Sequence, residues 1–306
     1  MLLMIVRHRP GPLALMFIVR GTILTAVYPQ LIILLLFSLL IQLAYVQNWL
    51  ALPTLSSSPF ALLGVAMSIF LSFRNSAAYG RWWEGRMQWG HMVDEVRSLA
   101  RSSESLLHDD KASRRALLML IAGYFHGLRG QLRRTDVSSE LNHWLGSARA
   151  AQALKHGNVP DYCLREAGRL LGRLYREEKL DSIGLQMLDK HLSILAGIQA
   201  ACERLSNTPL PFPYIVLTHR VAYIYCYILP FGLVSSMGWL TPVITILLGY
   251  TFFGLDALSE QLEEPFGNDA NDLALDALCR TNEISICESL GDEPPAPVQP
   301  VKYTLY

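Results

Sequence analysis

Two long stretches of this chain contain no Asp, Glu, Lys or Arg: Gly21 to Phe73, and Val221 to Leu255. A charge at the centre of a bilayer costs about 2.5–3.5 kcal/mol on insertion scales, and roughly 20 apolar residues cross its hydrocarbon core. The first block therefore has room for two crossings, and the second falls just short of two. The remaining residues are dense in charges of both signs, although only 17% of the chain is charged and 51% is hydrophobic. The formal net charge is zero, which gives no reason to expect a nucleic-acid partner. The chain reads as an integral, all-α membrane protein with four transmembrane helices. Two lie within 21–73 and two within 213–255, with cytoplasmic helices at 74–207 and a cytoplasmic C-terminal segment at 256–306.

Taken in order, residues 1–20 hold His8, Pro10 and Pro12 before a short apolar turn ending at Arg20, a pattern suited to the inner interface. The first span runs from Gly21 to Val46, with Pro29 placed to bend it. The linker Gln47 to Pro59 carries Trp49 and Ser56-Ser57-Ser58 but no cation. Arg74, Arg81, Arg86, Arg97 and Arg101 all follow the second span, so the positive-inside rule puts the N-terminus and the middle region in the cytoplasm.

That middle region is helical in period, with amphipathic stretches at Leu106–Leu132, Ser138–Leu154 and Tyr162–Leu174. His156 to Pro160 reads as a helix stop, and Asp181-Ser182 as the cap of a helix through Ser206. Asn207 to Pro213 is a proline-rich re-entry toward the bilayer, and Pro230 with Ser235 to Gly238 divides the second uncharged block. That block holds only 35 residues, so the third span must borrow His219 and Arg220, which either snorkel or serve function. No domain boundary is visible, and residues 1–306 read as one body.

The stretch Gly64 to Gly90 passes from a membrane-grade half to a charged, aromatic half with no proline between them. As one helix it would be about 40 Å long at roughly 1.5 Å per residue, so its far half must leave the lipid. Val65, Ile69 and Phe73 stand at i, i+4 and i+8, on one stripe. Such a stripe can pack on another helix or on lipid. Repeated around a symmetry axis, it makes stacked apolar rings that gate ions by dewetting.

The run Phe73-Arg74-Asn75-Ser76-Ala77-Ala78-Tyr79-Gly80-Arg81-Trp82-Trp83-Glu84-Gly85-Arg86 resembles the signature of the bestrophin family of ion channels, in its prokaryotic branch. A second run, Glu264-Pro265-Phe266-Gly267-Asn268-Asp269-Ala270-Asn271-Asp272, is similar to the acidic Asn-Pro-Phe-Gly stretch of animal members. The resemblance implies a homopentamer around a central pore in the bacterial inner membrane, with both termini cytoplasmic and small monovalent ions moving passively. It places the pore neck at Val65, Ile69 and Phe73 and a cytoplasmic aperture at Ile183. Animal bestrophins set aromatics at two of three neck levels, and here only Phe73 is aromatic, so both anions and cations stay open as the permeant ion. Gln261, Glu264, Asp269 and Asp272 correspond to the animal calcium clasp, but Ala270 and Asn271 dilute its charge, so a calcium site and a capped solvent-facing turn both stay open, and no other cofactor is expected.

Arg81, Trp82, Trp83 and Glu84 combine stacking aromatics with opposite charges at i, i+3 and read as a structural cluster at the membrane boundary. The chain has no GxxxxGK[ST], HExxH, GxSxG or helix-opening GxGxxG, and its eight histidines lack ligand spacing. Its five cysteines form no metal-spaced set and read as free thiols. The expectation is a channel rather than an enzyme. The competing class is a membrane scaffold or secondary transporter whose cytoplasmic helices bind a partner.

Overall fold

The computed structural model describes residues 11, 18, 21–49, 58–269 and 271–300, and among these every regular element is helical. The expected interfacial segment before Gly21 and most of the linker before Pro59 lie outside the described residues. Among the described residues three runs are long and apolar enough to cross a membrane: Leu24–Val46, Ser58–Leu106 and Phe212–Glu263. The last run contains two helices, Phe212–Met237 and Thr241–Glu263, joined by a 3-10 turn at Gly238–Leu240. The chain divides into two compact units.

The first unit holds α1 (Leu24–Val46), the part of α2 (Ser58–Leu106) up to Trp82, α8 (Phe212–Met237) and α9 (Thr241–Glu263). Its core joins Leu31 and Leu34 of α1, Met67 and Leu71 of α2, Tyr225 and Leu229 of α8, and Phe252 and Phe253 of α9. The outward faces are apolar as well: Ile32, Ile33 and Leu36 of α1 and Val243 and Leu247 of α9 are exposed. Helices greasy on every side are at home in lipid, where no hydrophobic penalty attaches to such exposure. α1 runs unbroken through Pro29, and Pro230 lies inside α8 rather than dividing the block. The break comes at Gly238, followed by Pro242 in the first turn of α9.

The second unit holds α2 from Trp83 onward, α3 (Lys111–Arg133), α4 (Ser138–Leu145), α5 (Ser147–Ala153), α6 (Val159–Arg176), α7 (Ser182–Asn207) and α10 (Leu275–Leu290). These helices have one apolar face each and bury it. α3 packs against α4, α6, α7 and α10, and the Tyr124 hydroxyl donates to the Leu195 carbonyl at 2.7 Å. Asp276 of α10 accepts from Arg129 at 2.8 Å and from Arg133 at 2.7 Å, tying α10 to α3.

Helix ends follow their local chemistry. Asp110, Asn158 and Asp181 each cap the helix that follows by accepting a backbone N–H. The helix expected from Leu106 starts instead at Lys111, because α2 ends at Leu106 and Asp110 caps α3. The stretch Ser138–Leu154 is also divided, at Gly146, whose φ of 78° is a turn that glycine makes without a Cβ penalty. The tail after Gly291 is free of regular structure through Pro300.

Candidate pore-lining helix and its charged anchor

α2 has two opposite faces within the membrane unit. Met67, Leu71, Arg74 and Ala78 are 0–3% exposed and form one buried stripe. Val65, Ile69 and Phe73 are 59%, 50% and 65% exposed. At 3.6 residues per turn these two sets point in nearly opposite directions, so the second stripe faces away from the helices that bury the first. On the same face, one and two turns further along, come Ser76 and then Gly80, both exposed. The bulky section of the stripe therefore spans about 12 Å, from Val65 to Phe73, and ends where the side chains become small.

Close packing behind this face holds the helix in place. A Cβ on Gly64 would lie 2.6 Å from the Tyr225 hydroxyl, so only glycine lets α8 come so near. That hydroxyl donates to the Phe60 carbonyl at 3.2 Å.

Directly after Phe73, the buried Arg74 forms an ion pair with Asp256 of α9, and both are nearly out of solvent. The other Asp256 oxygen takes a hydrogen bond from His219 Nδ1 of α8 at 2.6 Å. His219 is half exposed and Arg220 is exposed, so of the two borrowed residues one is pinned to a carboxylate and the other faces outward. Two further contacts bind α2 to α9: Ser259 Oγ reaches Asn75 Oδ1 at 3.4 Å, and Arg81 Nε donates to the Glu263 carbonyl at 2.9 Å. The partners rise together in number, so the two helices run in the same direction. In the sequence Arg74 stands out as a topology marker and as part of the Phe73–Arg86 run, but nothing there pairs it with Asp256, an acid at the edge of an uncharged block.

The remaining site residues sit as follows. Ile183 is the second residue of α7, 66% exposed, on a turn fixed by the Asp181 carboxylate accepting from the Gly184 N–H at 2.6 Å. Tyr79 stacks on Trp82 with ring centroids 6.1 Å apart. Trp83 is 49% exposed, and the neighbouring Glu84 accepts from Arg204 of α7. Arg81 and Glu84 thus reach to other elements.

Gln261 and Glu264 belong to the membrane unit, while Asp269 and Asp272 belong to the other. Asp272 is buried, and its Oδ2 accepts from the Asp269 N–H at 2.6 Å, closing the loop on itself. Phe266 is buried against Gly85, and the Leu273 N–H donates to the Pro265 carbonyl at 2.9 Å. Among the described residues no three His, Cys, Asp or Glu side chains gather as metal ligands. All five cysteines are buried and unbridged, and burial pushes the Cys163 and Cys202 thiols up to about 12, which keeps them protonated and inert.

A family model described as bacterial/fungal bestrophin protein matches residues 4–288. A voltage-dependent anion channel-forming protein of Mesorhizobium japonicum is 49% identical, over 95% of this chain and 94% of its own. A protein of the same description from Escherichia coli K12 is 36% identical over 97% of each chain. The crystal structure of a bacterial bestrophin homolog from Klebsiella pneumoniae superposes with a TM-score of 0.83 at 35% identity, covering 88% of this chain and all of that one. The chain belongs to the bacterial and fungal bestrophin family, which is a family of membrane ion channels and not of enzymes.

Proposed function

We propose that five copies of this chain surround one pore in the bacterial inner membrane, with both termini in the cytoplasm. Four segments of each copy cross the bilayer: α1, the first part of α2, α8 and α9. Small monovalent ions pass down their gradient between the five α2 helices. Val65, Ile69 and Phe73 form the neck and Ile183 the cytoplasmic aperture.

The observation that carries this reading is the exposed stripe of α2, set opposite its buried stripe and ending at Ser76 and Gly80. Brought together around an axis, three apolar levels make a collar about 12 Å long that excludes water until it widens. Exposed Ile183, Met187 and Ile194 of α7, at i, i+4 and i+11, likewise present an apolar face that neighbouring copies would cover. The buried Arg74–Asp256 pair would hold each α2 at fixed rotation, directly behind Phe73.

The relatives' descriptions favour anions, and the edge of the Phe73 ring, positive in its quadrupole, suits one. Monovalent cations form a second reading, favoured by the aliphatic Val65 and Ile69, which have no such edge to offer. Reversal potentials of the purified protein in planar bilayers under asymmetric sodium chloride test both. Reversal near the chloride equilibrium potential supports the first reading and reversal near that of sodium the second. Absence of current under every gradient contradicts a channel.

A further inference from the structure

A cavity of about 380 Å³ in the cytoplasmic unit is walled by four arginines, Arg149 of α5 and Arg169, Arg173 and Arg176 of α6, with Glu166 as the one acid. We infer that this cavity binds a phosphate-bearing organic anion.

The three α6 arginines stand at i, i+4 and i+7, which brings them onto one face of the helix within about 10 Å of rise. Like charges at such spacing destabilise a helix unless something neutralises them. Three nearby acids are already engaged. Glu166 pairs with Arg169, Asp161 pairs with Arg165 at 3.0 Å, and Glu177 pairs with Lys179 at 3.1 Å. Arg149, Arg173 and Arg176 have no carboxylate partner among the described residues. These three are solvent-exposed and line one hollow, where a ligand can reach them from outside.

The chemistry of the walls defines the ligand. Guanidinium groups offer paired N–H donors that match phosphate oxygens, and several of them together suit more than one phosphate or a doubly charged one. The floor is apolar, formed by Ala116, Leu120 and Leu170, and would receive a carbon skeleton. The volume lies in the range of small-molecule sites. Arg176 closes α6 seven residues before Ile183, so an occupied site would load the turn leading to α7. That consequence rests on the aperture reading; binding itself does not.

The phosphate could belong to a soluble metabolite or to a lipid headgroup, and two arms separate these. In the first, pyrophosphate is titrated calorimetrically into the full chain in neutral detergent. Saturable binding is expected, weakening with added salt. Arg173→Gln and Arg176→Gln should each lower affinity about tenfold or more, and Lys190→Gln, an exposed cation outside the cavity, should leave it unchanged. In the second arm, thermal unfolding is compared in nanodiscs of phosphatidylglycerol and of phosphatidylcholine. No pyrophosphate binding, together with a phosphatidylglycerol stabilisation that the two arginine variants lose, assigns the phosphate to lipid. If neither readout depends on these arginines, the inference is overturned.

Discussion

Asp256 accepts from a guanidinium on one side and an imidazole on the other, and it is only 5% exposed. Removing one member of a buried pair leaves the other charge without compensation, typically costing about 3–5 kcal/mol. Asp256→Asn should therefore lower the unfolding temperature of the detergent-solubilised protein far more than His219→Ala, whose side chain is half in solvent. Similar effects from the two substitutions would mean that the Arg74 charge is compensated elsewhere. The pair was not legible in the sequence, because its members are 182 positions apart and nothing local marks them as partners. Val65, Ile69 and Phe73 were legible as a stripe, since helical period alone puts them on one face. Which way that face turns depends on Tyr225, Leu229 and Phe252, which no local pattern connects to it.

Three helices of the cytoplasmic unit start at side-chain caps, and that layer is readable residue by residue. Asp181 before α7 and Asn158 before α6 stand where the sequence places a start and a stop. Gly146 was missed because apolar periodicity continues on both sides of it, while its positive φ leaves no trace in composition. Asp110 gives a measurable case. The Ser113 backbone N–H, then its hydroxyl, and then Lys179 hold this carboxyl below its ordinary 3.8. A depressed carboxylate contributes stability that is complete above pH 3.8 and is lost as pH falls through its folded value. Asp110→Ala should cost about 1 kcal/mol at pH 7. In urea titrations at pH 7 and pH 3, the gap between variant and parent should close at the lower pH.

The approach of α8 to α2 is just as specific. Gly64→Ala should destabilise by about 1–3 kcal/mol through the Tyr225 hydroxyl. Adding Tyr225→Phe should recover part of that loss in thermal unfolding, and simple additivity would show that the contact is not the cause.

At the scale of the whole molecule, the all-helical class and the split between uncharged and charged stretches follow from the sequence, because lipid and water sort residues along the chain. Assembly cannot be read in that way, since a stripe exposed in one copy is completed only by others. The proposed channel depends on that completion at Val65, Ile69 and Phe73. Its most direct test is ion flux through purified protein in liposomes, comparing the unsubstituted chain with Ile69→Ala and Phe73→Ala. Widening an apolar collar lets water persist in it, so both variants should conduct more at the same protein density and gradient. Flux unchanged in both would contradict the neck.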